Sequence, residues 1–146
     1  MMNVLVTGGA GYIGSHVVEE LQKNGFTPIV YDNLSTGHAA AVPEEVQLVE
    51  GDIHDVAFLK HIMAQFEIDA VIHFAASSLV GESMENPSKY YFNNVEGSLH
   101  LLEAMKGAGV DYIVFSSTAA VYGEPESVPI KEDSCLNRLM FTAARS

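Results

Sequence analysis

The sequence has 146 residues, of which 48% are hydrophobic and 18% are charged, a composition typical of a folded globular protein rather than a disordered chain. This length predicts one domain, because domains commonly contain roughly 150 residues. Acidic residues outnumber Lys and Arg by 19 to 7, for a formal net charge of −12, which argues against nucleic acid or an anionic membrane as a partner, since both select for basic side chains.

Short apolar runs alternate with longer helical patterns along the chain, which predicts parallel β-α-β units. The predicted elements, in chain order, are a strand at residues 3–7, a helix at 12–24, a strand at 28–31, a loop at 33–45, a strand at 46–49, a helix at 55–66, a strand at 70–74, a helix at 86–108 and a strand at 112–116. Together they predict an α/β fold with a Rossmann-type, doubly wound parallel sheet of about five strands.

A glycine-rich turn links the first predicted strand to the first predicted helix, with glycines at Gly8, Gly11 and Gly14. Such glycines permit a tight turn, a close approach of the backbone to a pyrophosphate, and close packing of the helix on the sheet. The helix N-terminus then offers N–H groups to the phosphates. Asp32 ends the second strand where an acid would bind ribose hydroxyls and disfavour a 2′-phosphate, which predicts NAD rather than NADP. An ordinary glycine-rich turn with a capping Asp is the alternative.

Further segments carry a resemblance to a known family over residues 2–133. They lie at residues 7–16, 31–37, 51–53, 73–76, 80–83, 90–95 and 115–123. With these motifs the chain resembles the extended short-chain dehydrogenase/reductases, and most closely the UDP-glucose 4-epimerases. The segments at residues 32–34 and 80–83 favour the epimerases over the sibling sugar-nucleotide dehydratases.

The resemblance implies roles for individual residues in an NAD site. The cofactor-binding residues that it implies are Gly8, Gly11, Tyr12, Ile13, Gly14, Asp32, Asn33, Asp52, Ile53, Phe74, Ala75, Ala76, Asn93 and Ser116. Asp32 and Asn33 are expected to contact the adenosine ribose. Asp52 is expected to accept a hydrogen bond from the adenine amino group, and Ile53 is expected to pack on the adenine ring.

Other implied roles lie after the fourth and fifth strands and in the long helix. Phe74, Ala75 and Ala76 are expected to line the cofactor diphosphate and ribose, and Asn93 is expected to contact the cofactor from the long helix. Thr118 is the implied catalytic residue, since it matches the family Ser/Thr that hydrogen-bonds the reacting sugar hydroxyl.

The activity that the resemblance implies is reversible oxidation at C4 of a UDP-sugar, with hydride passing to NAD and back. A tyrosine phenolate removes the hydroxyl proton, and a lysine four residues later lowers the pKa of the phenol. The chain contains no Tyr-x-x-x-Lys. Its last tyrosine is Tyr122, and the residue four positions later, residue 126, is Glu. We therefore expect a truncated or frame-shifted, NAD-binding but inactive form, incomplete relative to the family. Residues 1–123 are then the NAD-binding Rossmann domain, and residues 124–146 an acidic loop and atypical tail.

Two alternative functions stay open: a non-catalytic dinucleotide-binding module, and a sibling dehydratase or epimerase that acts on another nucleotide sugar. The resemblance also implies a homodimer in which the long helix takes part. The apolar stripe of that helix consists of Tyr91, Val95, Leu99 and Leu102. We expect its interface to be incomplete, with apolar surface left exposed, because the second interface helix of the family is not present in these residues.

The remaining candidate residues favour structural interpretations. Among the six histidines, no pair has i, i+3 or i+4 spacing with a carboxylate partner, so no metal site is predicted, and His73 is interpreted as a buried neighbour of the cofactor wall. Cys135 is the single cysteine and fits a reducing compartment. No apolar run reaches about 18 residues, and the N-terminus lacks the pattern of a signal peptide, so a cytoplasmic protein is expected.

Overall fold

The computed structural model describes residues 1–75, 88, 91–117, 122 and 129–134. One compact unit consists of residues 1–76 and 96–116 and holds the β-sheet, and a second consists of residues 77–95 and 117–146. In the described part of the second unit, the Tyr122 hydroxyl donates to the Glu132 carbonyl at 3.4 Å. Glu132 lies in a turn in which the Lys131 N–H donates to the Ser134 hydroxyl oxygen at 3.2 Å.

The strands and helices alternate along the first unit, as the apolar patterns predict. The elements are β1 (Asn3–Thr7), α1 (Tyr12–Lys23), β2 (Thr27–Asp32), β3 (Gln47–Glu50), α2 (Val56–Gln65), β4 (Ala70–His73), α3 (Gly97–Ala108) and β5 (Tyr112–Phe115). A 3-10 turn at Ala39–Ala41 interrupts the loop before β3, and a π-helical segment, Tyr91–Glu96, precedes α3. The five strands and the first two helices agree with their predicted bounds to within one residue at each end.

The sheet is parallel throughout, with the strand order β3-β2-β1-β4-β5. Successive side chains of a strand point to opposite faces. Leu5 of the central strand accordingly packs in a core cluster with α2 and α3, whereas Val4 and Val6 pack in a second cluster that includes Val18 of α1. Helices therefore cover both faces, which confirms the predicted Rossmann-type, doubly wound sheet.

Local capping features mark the start of α2 and the ends of α1 and α3. The Asp55 carboxylate accepts a hydrogen bond from the Phe58 N–H at 3.0 Å and caps the start of α2. Gly25 follows α1 with φ +80°, and Gly109 follows α3 with φ +73°. Both glycines adopt the left-handed conformation that commonly ends a helix.

The long predicted helix at residues 86–108 differs from the prediction in its first part. Residues 86 and 87 lie outside the described residues, residues 91–96 are π-helical, and α3 begins at Gly97. A π-helix closes i→i+5 hydrogen bonds and so takes more residues per turn than an α-helix, which breaks the predicted α-helical spacing from Tyr91 to Leu102. Leu99 and Leu102 are 58% and 46% exposed. The helix packs instead through Leu101, Ala104 and Met105.

None of the helices in the described ranges has both the length and the apolar character that crossing a bilayer requires.

Candidate functional site

The carboxyl edge of the sheet contains a topological switch point between β1 and β4. From β1 the chain continues to β2 and β3 on one side, and β4 and β5 lie on the other. Ligands of parallel α/β sheets bind at the carboxyl ends of the strands beside such a point. The glycine-rich turn follows β1, and Phe74 and Ala75 follow β4, so these predicted site segments meet here.

Gly8 lies where the turn after β1 comes close to the backbone that follows β4. Its φ is +73°, and a Cβ added there would lie 2.7 Å from the Ala75 nitrogen, a separation that real Cβ atoms do not tolerate. Gly14 is equally constrained, because a Cβ there would overlap the carbonyl oxygen of Gly8. These two glycines therefore let the turn, the first helix and the segment after β4 pack against one another.

The N-terminus of α1 points its unpaired backbone donors out of this turn. The first N–H groups of an α-helix have no acceptor within the helix. Gly11 is the N-cap residue and contributes no side-chain hydrogen bond to them, and the side chains of Tyr12 and Ile13 are exposed. The predicted residues Gly11, Tyr12 and Ile13 thus form an uncapped helix start, which suits a phosphate group.

Asp32 ties the glycine-rich turn to the end of β2. The residue is 7% exposed. One carboxylate oxygen accepts from the Ala10 N–H at 3.0 Å, and the other accepts from the Leu34 N–H at 2.8 Å. Each carboxylate oxygen has two acceptor positions, so ribose hydroxyls can still bind. The neighbouring Asn33 is exposed and accepts from the Ser35 N–H at 3.1 Å.

Asp52 lies in the loop after β3, and hydrogen bonds connect this loop to β2. The Gly51 N–H donates to the Asp32 carbonyl at 3.0 Å, and the Tyr31 hydroxyl donates to the Asp52 carbonyl at 2.8 Å. Burial raises the pKa of the Tyr31 phenol, so this hydroxyl stays protonated and remains a donor. The backbone at Asp52 is thus held beside the ribose-binding acid predicted at Asp32.

Ile53 packs inward rather than facing solvent. It is buried in the core cluster of α2 and α3, and a Cβ on Gly97 would overlap its side chain. Gly97 therefore allows α3 to approach the loop that carries Asp52. The adenine contact predicted for Ile53 stays a prediction, since most of its side-chain surface already contacts the protein.

His73, at the end of β4, joins the two strands beside the switch point. It is 1% exposed, and its Nδ1 lies 2.6 Å from the hydroxyl oxygen of Thr7 at the end of β1. Its Nε2 lies 3.4 Å from the hydroxyl oxygen of Ser98 in α3. Burial lowers the pKa of His73 to about 4, so the ring is neutral near pH 7. One ring nitrogen then donates and the other accepts. The interpretation of His73 as a buried neighbour of this wall agrees with these contacts.

The other predicted site residues fall into two groups. Ser116 follows β5, and its N–H donates to the His73 carbonyl at 3.2 Å, which places it at the same edge of the sheet. Asn93 lies in the π-helical segment, where only its backbone is described. Ala76 and the implied catalytic residue Thr118 lie outside the described residues.

A metal site is not seen in the part of the chain that the structure covers, where no three His, Cys, Asp or Glu side chains come together as ligands. The site residue that the sequence pattern did not single out is His54, whose side chain contacts Asp52. The sequence contains a signal for this contact, because an Asp side chain often hydrogen-bonds the backbone of the second residue after it in an Asx turn, and His54 is the second residue after Asp52.

These observations fit a dinucleotide. The turn leaves no room for a Cβ where the backbone must approach a pyrophosphate, the uncapped start of α1 can bind its charge, and Asp32 lies at the end of the neighbouring strand. The acidic chain therefore has a place for phosphate that depends on backbone dipoles and not on basic side chains.

Curated proteins similar to this chain are UDP-glucose 4-epimerases. The chain is 54% identical to the UDP-glucose 4-epimerase of Lactobacillus helveticus over 136 residues, which cover 93% of this chain and 41% of that relative. It is 55% identical to the UDP-glucose 4-epimerase of Azospirillum brasilense over 131 residues, which cover 90% of this chain and 38% of that protein. The chain thus spans about two fifths of the length of these curated relatives.

Solved structures similar to this chain are also UDP-glucose 4-epimerases. The UDP-glucose 4-epimerase from Brucella ovis in complex with NAD superposes with a TM-score of 0.91 at 48% identity, covering 99% of this chain and 44% of that one. The Thermus thermophilus enzyme in complex with NAD gives 0.90 at 40% identity, covering 99% and 47%. The predicted resemblance to UDP-glucose 4-epimerases is confirmed, and NAD is the cofactor that these structures hold.

The family comparison covers almost the whole chain. Residues 4–142 match the family described as the NAD dependent epimerase/dehydratase family. That description names the cofactor predicted from the glycine-rich turn and Asp32. The chain belongs to the NAD dependent epimerase/dehydratase family.

Proposed function

We propose that this chain binds NAD and forms the NAD-binding part of a UDP-glucose 4-epimerase. The observation that carries the proposal is the uncapped start of α1, which lies beside Gly8 and Gly14 at the switch point of the sheet. The similar proteins and solved structures are UDP-glucose 4-epimerases, which supports a UDP-hexose as the substrate class.

The described residues bind and orient the cofactor. The N–H groups at Tyr12 and Ile13 would hold the diphosphate, and Asp32 would accept hydrogen bonds from the adenosine ribose. Asn33, Phe74, Ala75 and Ser116 extend the same edge of the sheet. Bound NAD supplies a hydride acceptor for a sugar C4–H. Asp52, Ile53, Ala76, Asn93 and Thr118 keep the roles that the resemblance implies, as part of the proposal.

Cofactor choice tests the site directly. The purified chain should bind NAD, detected by release on denaturation and by titration calorimetry, and should prefer NAD to NADP by about tenfold or more because Asp32 repels a 2′-phosphate. Asp32→Asn should lower that preference. Asp111→Asn removes the same charge from the amino edge of the sheet, where Asp111 precedes β5, and should leave the preference unchanged. A wild-type chain that binds neither dinucleotide would refute the proposal.

Turnover is tested separately from binding. These residues contain no Tyr-x-x-x-Lys, so the chain supplied alone should bind NAD without converting UDP-galactose to UDP-glucose. Measurable conversion would show that another group removes the hydroxyl proton and that the expectation of an inactive form is wrong.

The proposal extends to partners and compartment. We propose homodimerisation through α3, which the exposed side chains of Leu99 and Leu102 support, since exposed apolar surface favours association. We also propose action in the cytoplasm. The single cysteine, Cys135, supports it, because a lone thiol cannot form an internal disulfide.

A further inference from the structure

His54 makes two hydrogen bonds to one oxygen of Asp52. The His54 backbone N–H donates to Asp52 Oδ1 at 2.8 Å, and His54 Nδ1 lies 2.6 Å from the same oxygen. A carboxylate oxygen can only accept, so Nδ1 carries the proton of this bond. Two donors that converge on Oδ1 leave the carboxylate little freedom to rotate about its χ2 bond.

The His54 ring is itself held in place by α3. Its side chain is 18% exposed, whereas that of Asp52 is 56% exposed. The ring packs edge-to-face on His100, with 5.6 Å between the ring centroids and an interplanar angle of 82°. It also lies against Gly97, where an added Cβ would come within 3.5 Å of His54 Nε2. A partly buried ring fixed by a core helix therefore sets the direction of an exposed carboxylate.

The pKa of Asp52 agrees with this geometry. Burial alone would raise the pKa of the carboxyl group, but the hydrogen bonds from the backbone and side chain of His54 outweigh it. The net effect lowers the pKa below its ordinary value, so Asp52 is an ionised acceptor near pH 7.

We propose that His54 is a positioning residue that aims the Asp52 carboxylate at the exocyclic amino group of the adenine and thereby makes the site selective for adenine over hypoxanthine. The inference rests on the proposed function, because it takes Asp52 to be the adenine contact of the NAD site. His54 acts through Asp52 and does not itself touch the cofactor.

The selectivity follows from the chemistry of the two bases. The adenine amino group donates hydrogen bonds, whereas the oxygen at the same position of hypoxanthine has only lone pairs. A carboxylate fixed in front of that position attracts the amino group and repels the oxygen. A carboxylate free to rotate can turn away from the oxygen, so loss of its fixation lowers discrimination more than it lowers overall binding.

The experiment compares NAD with nicotinamide hypoxanthine dinucleotide for the wild-type chain and two variants of matched size. His54→Asn keeps an N–H donor near the position of Nδ1. His54→Leu has the same branching as Asn but no donor. The backbone N–H of residue 54 is present in all three. The ratio of the two dissociation constants is measured by calorimetry within each variant, so a partly unfolded preparation affects both ligands alike and cancels.

The wild-type chain and His54→Asn should both prefer NAD, and the preference of His54→Leu should fall by about tenfold, the scale of a lost hydrogen bond to a charged group. An unchanged ratio in His54→Leu, with NAD still bound by the wild-type chain, would overturn the inference and leave the proposed function standing. A wild-type chain that binds neither dinucleotide would overturn the proposed function and the inference with it.

Discussion

At the scale of single residues, the buried polar side chains of the described residues, those of Thr7, Asp32 and His73, lie at the carboxyl edge of the sheet. Asp32 accepts from the backbone of the glycine-rich turn, and His73 bridges Thr7 and Ser98. Both side chains are buried, and a buried polar group must be hydrogen-bonded to avoid a large desolvation cost. The same contacts that satisfy these groups tie the glycine-rich turn and the end of β1 to the neighbouring strands.

The buried His73 predicts a pH dependence of stability. Its folded pKa of about 4 lies below the ordinary value of 6.5, so between these pH values the unfolded chain binds a proton that the folded chain does not. The free energy of unfolding should therefore contain the full contribution of His73 above pH 6.5. It should fall by about 3 kcal/mol in total as the pH is lowered toward 4.

Urea denaturation between pH 4 and pH 7.5, followed by circular dichroism, measures this slope. His73→Asn keeps a polar group near Thr7 and does not titrate, so its slope should be smaller by the contribution of His73. All other groups are common to both proteins, so their contributions cancel in the comparison. Equal slopes for the two proteins would contradict the prediction.

At the scale of elements, two glycines within helices differ in whether the surrounding atoms could make room for a Cβ. Gly14 lies in the first turn of α1, where a Cβ would overlap backbone of Gly8, and backbone atoms at the turn have no room to move. Gly107 lies in the last turn of α3, where the three atoms nearest to an added Cβ belong to the flexible end of the Lys60 side chain. The sequence shows both as glycines within predicted helices, and only the packing distinguishes them.

Gly14→Ala should therefore destabilise the chain by about 2 kcal/mol and weaken NAD binding more than tenfold, because the turn must open to admit the methyl group. Gly107→Ala is the matched control and should stabilise the chain by about 0.5 kcal/mol, since Ala has the higher helix propensity. Thermal unfolding and NAD titration measure both effects. Equal changes in the two variants would show that clearance at Gly14 does not control the site.

At the scale of the whole molecule, apolar surface of α3 remains uncovered in the described structure. Leu99 and Leu102 lie away from the buried face formed by Leu101, Ala104 and Met105. The relatives are more than twice as long as this chain.

Association of the chain should depend on these two leucines. A Leu99→Gln/Leu102→Gln variant should associate less than the wild-type chain, because it removes apolar surface that two copies could bury. Glu103→Gln changes an exposed residue of the same helix without altering its apolar area and should associate like the wild type. Light scattering across a concentration series makes the comparison, and a wild-type chain that stays monomeric at high concentration would contradict the prediction.

Much of this structure could be predicted from local patterns. The runs of β-branched residues around Val4 and Ile29 identify buried parallel strands, because such strands are apolar on both faces. The glycine spacing from Gly8 to Gly14 and the acid at Asp32 predict the site, because few other backbones need those residues in that order. Strand bounds follow from the same patterns, since a polar or turn residue ends each run.

The contacts across elements could not be predicted in this way. The burial of Ile53 against Gly97, the bridge from His73 to Thr7 and the contact of His54 with His100 join residues whose distance in space is unrelated to their spacing in sequence. The π-helical segment before α3 also shifts which leucines face the core, and single-residue preferences do not reveal such a shift.

The sequence by itself determined the fold class, the cofactor class and the family of this protein, because glycine spacing, strand patterning and one acid at a strand end are local features that depend on backbone geometry. Only the tertiary structure decided which side chain orients Asp52, in the loop beside that acid, and which apolar face of α3 stays exposed. Those outcomes depend on the packing of α3 against the loop after β3, and packing is set by contacts between residues far apart in the chain.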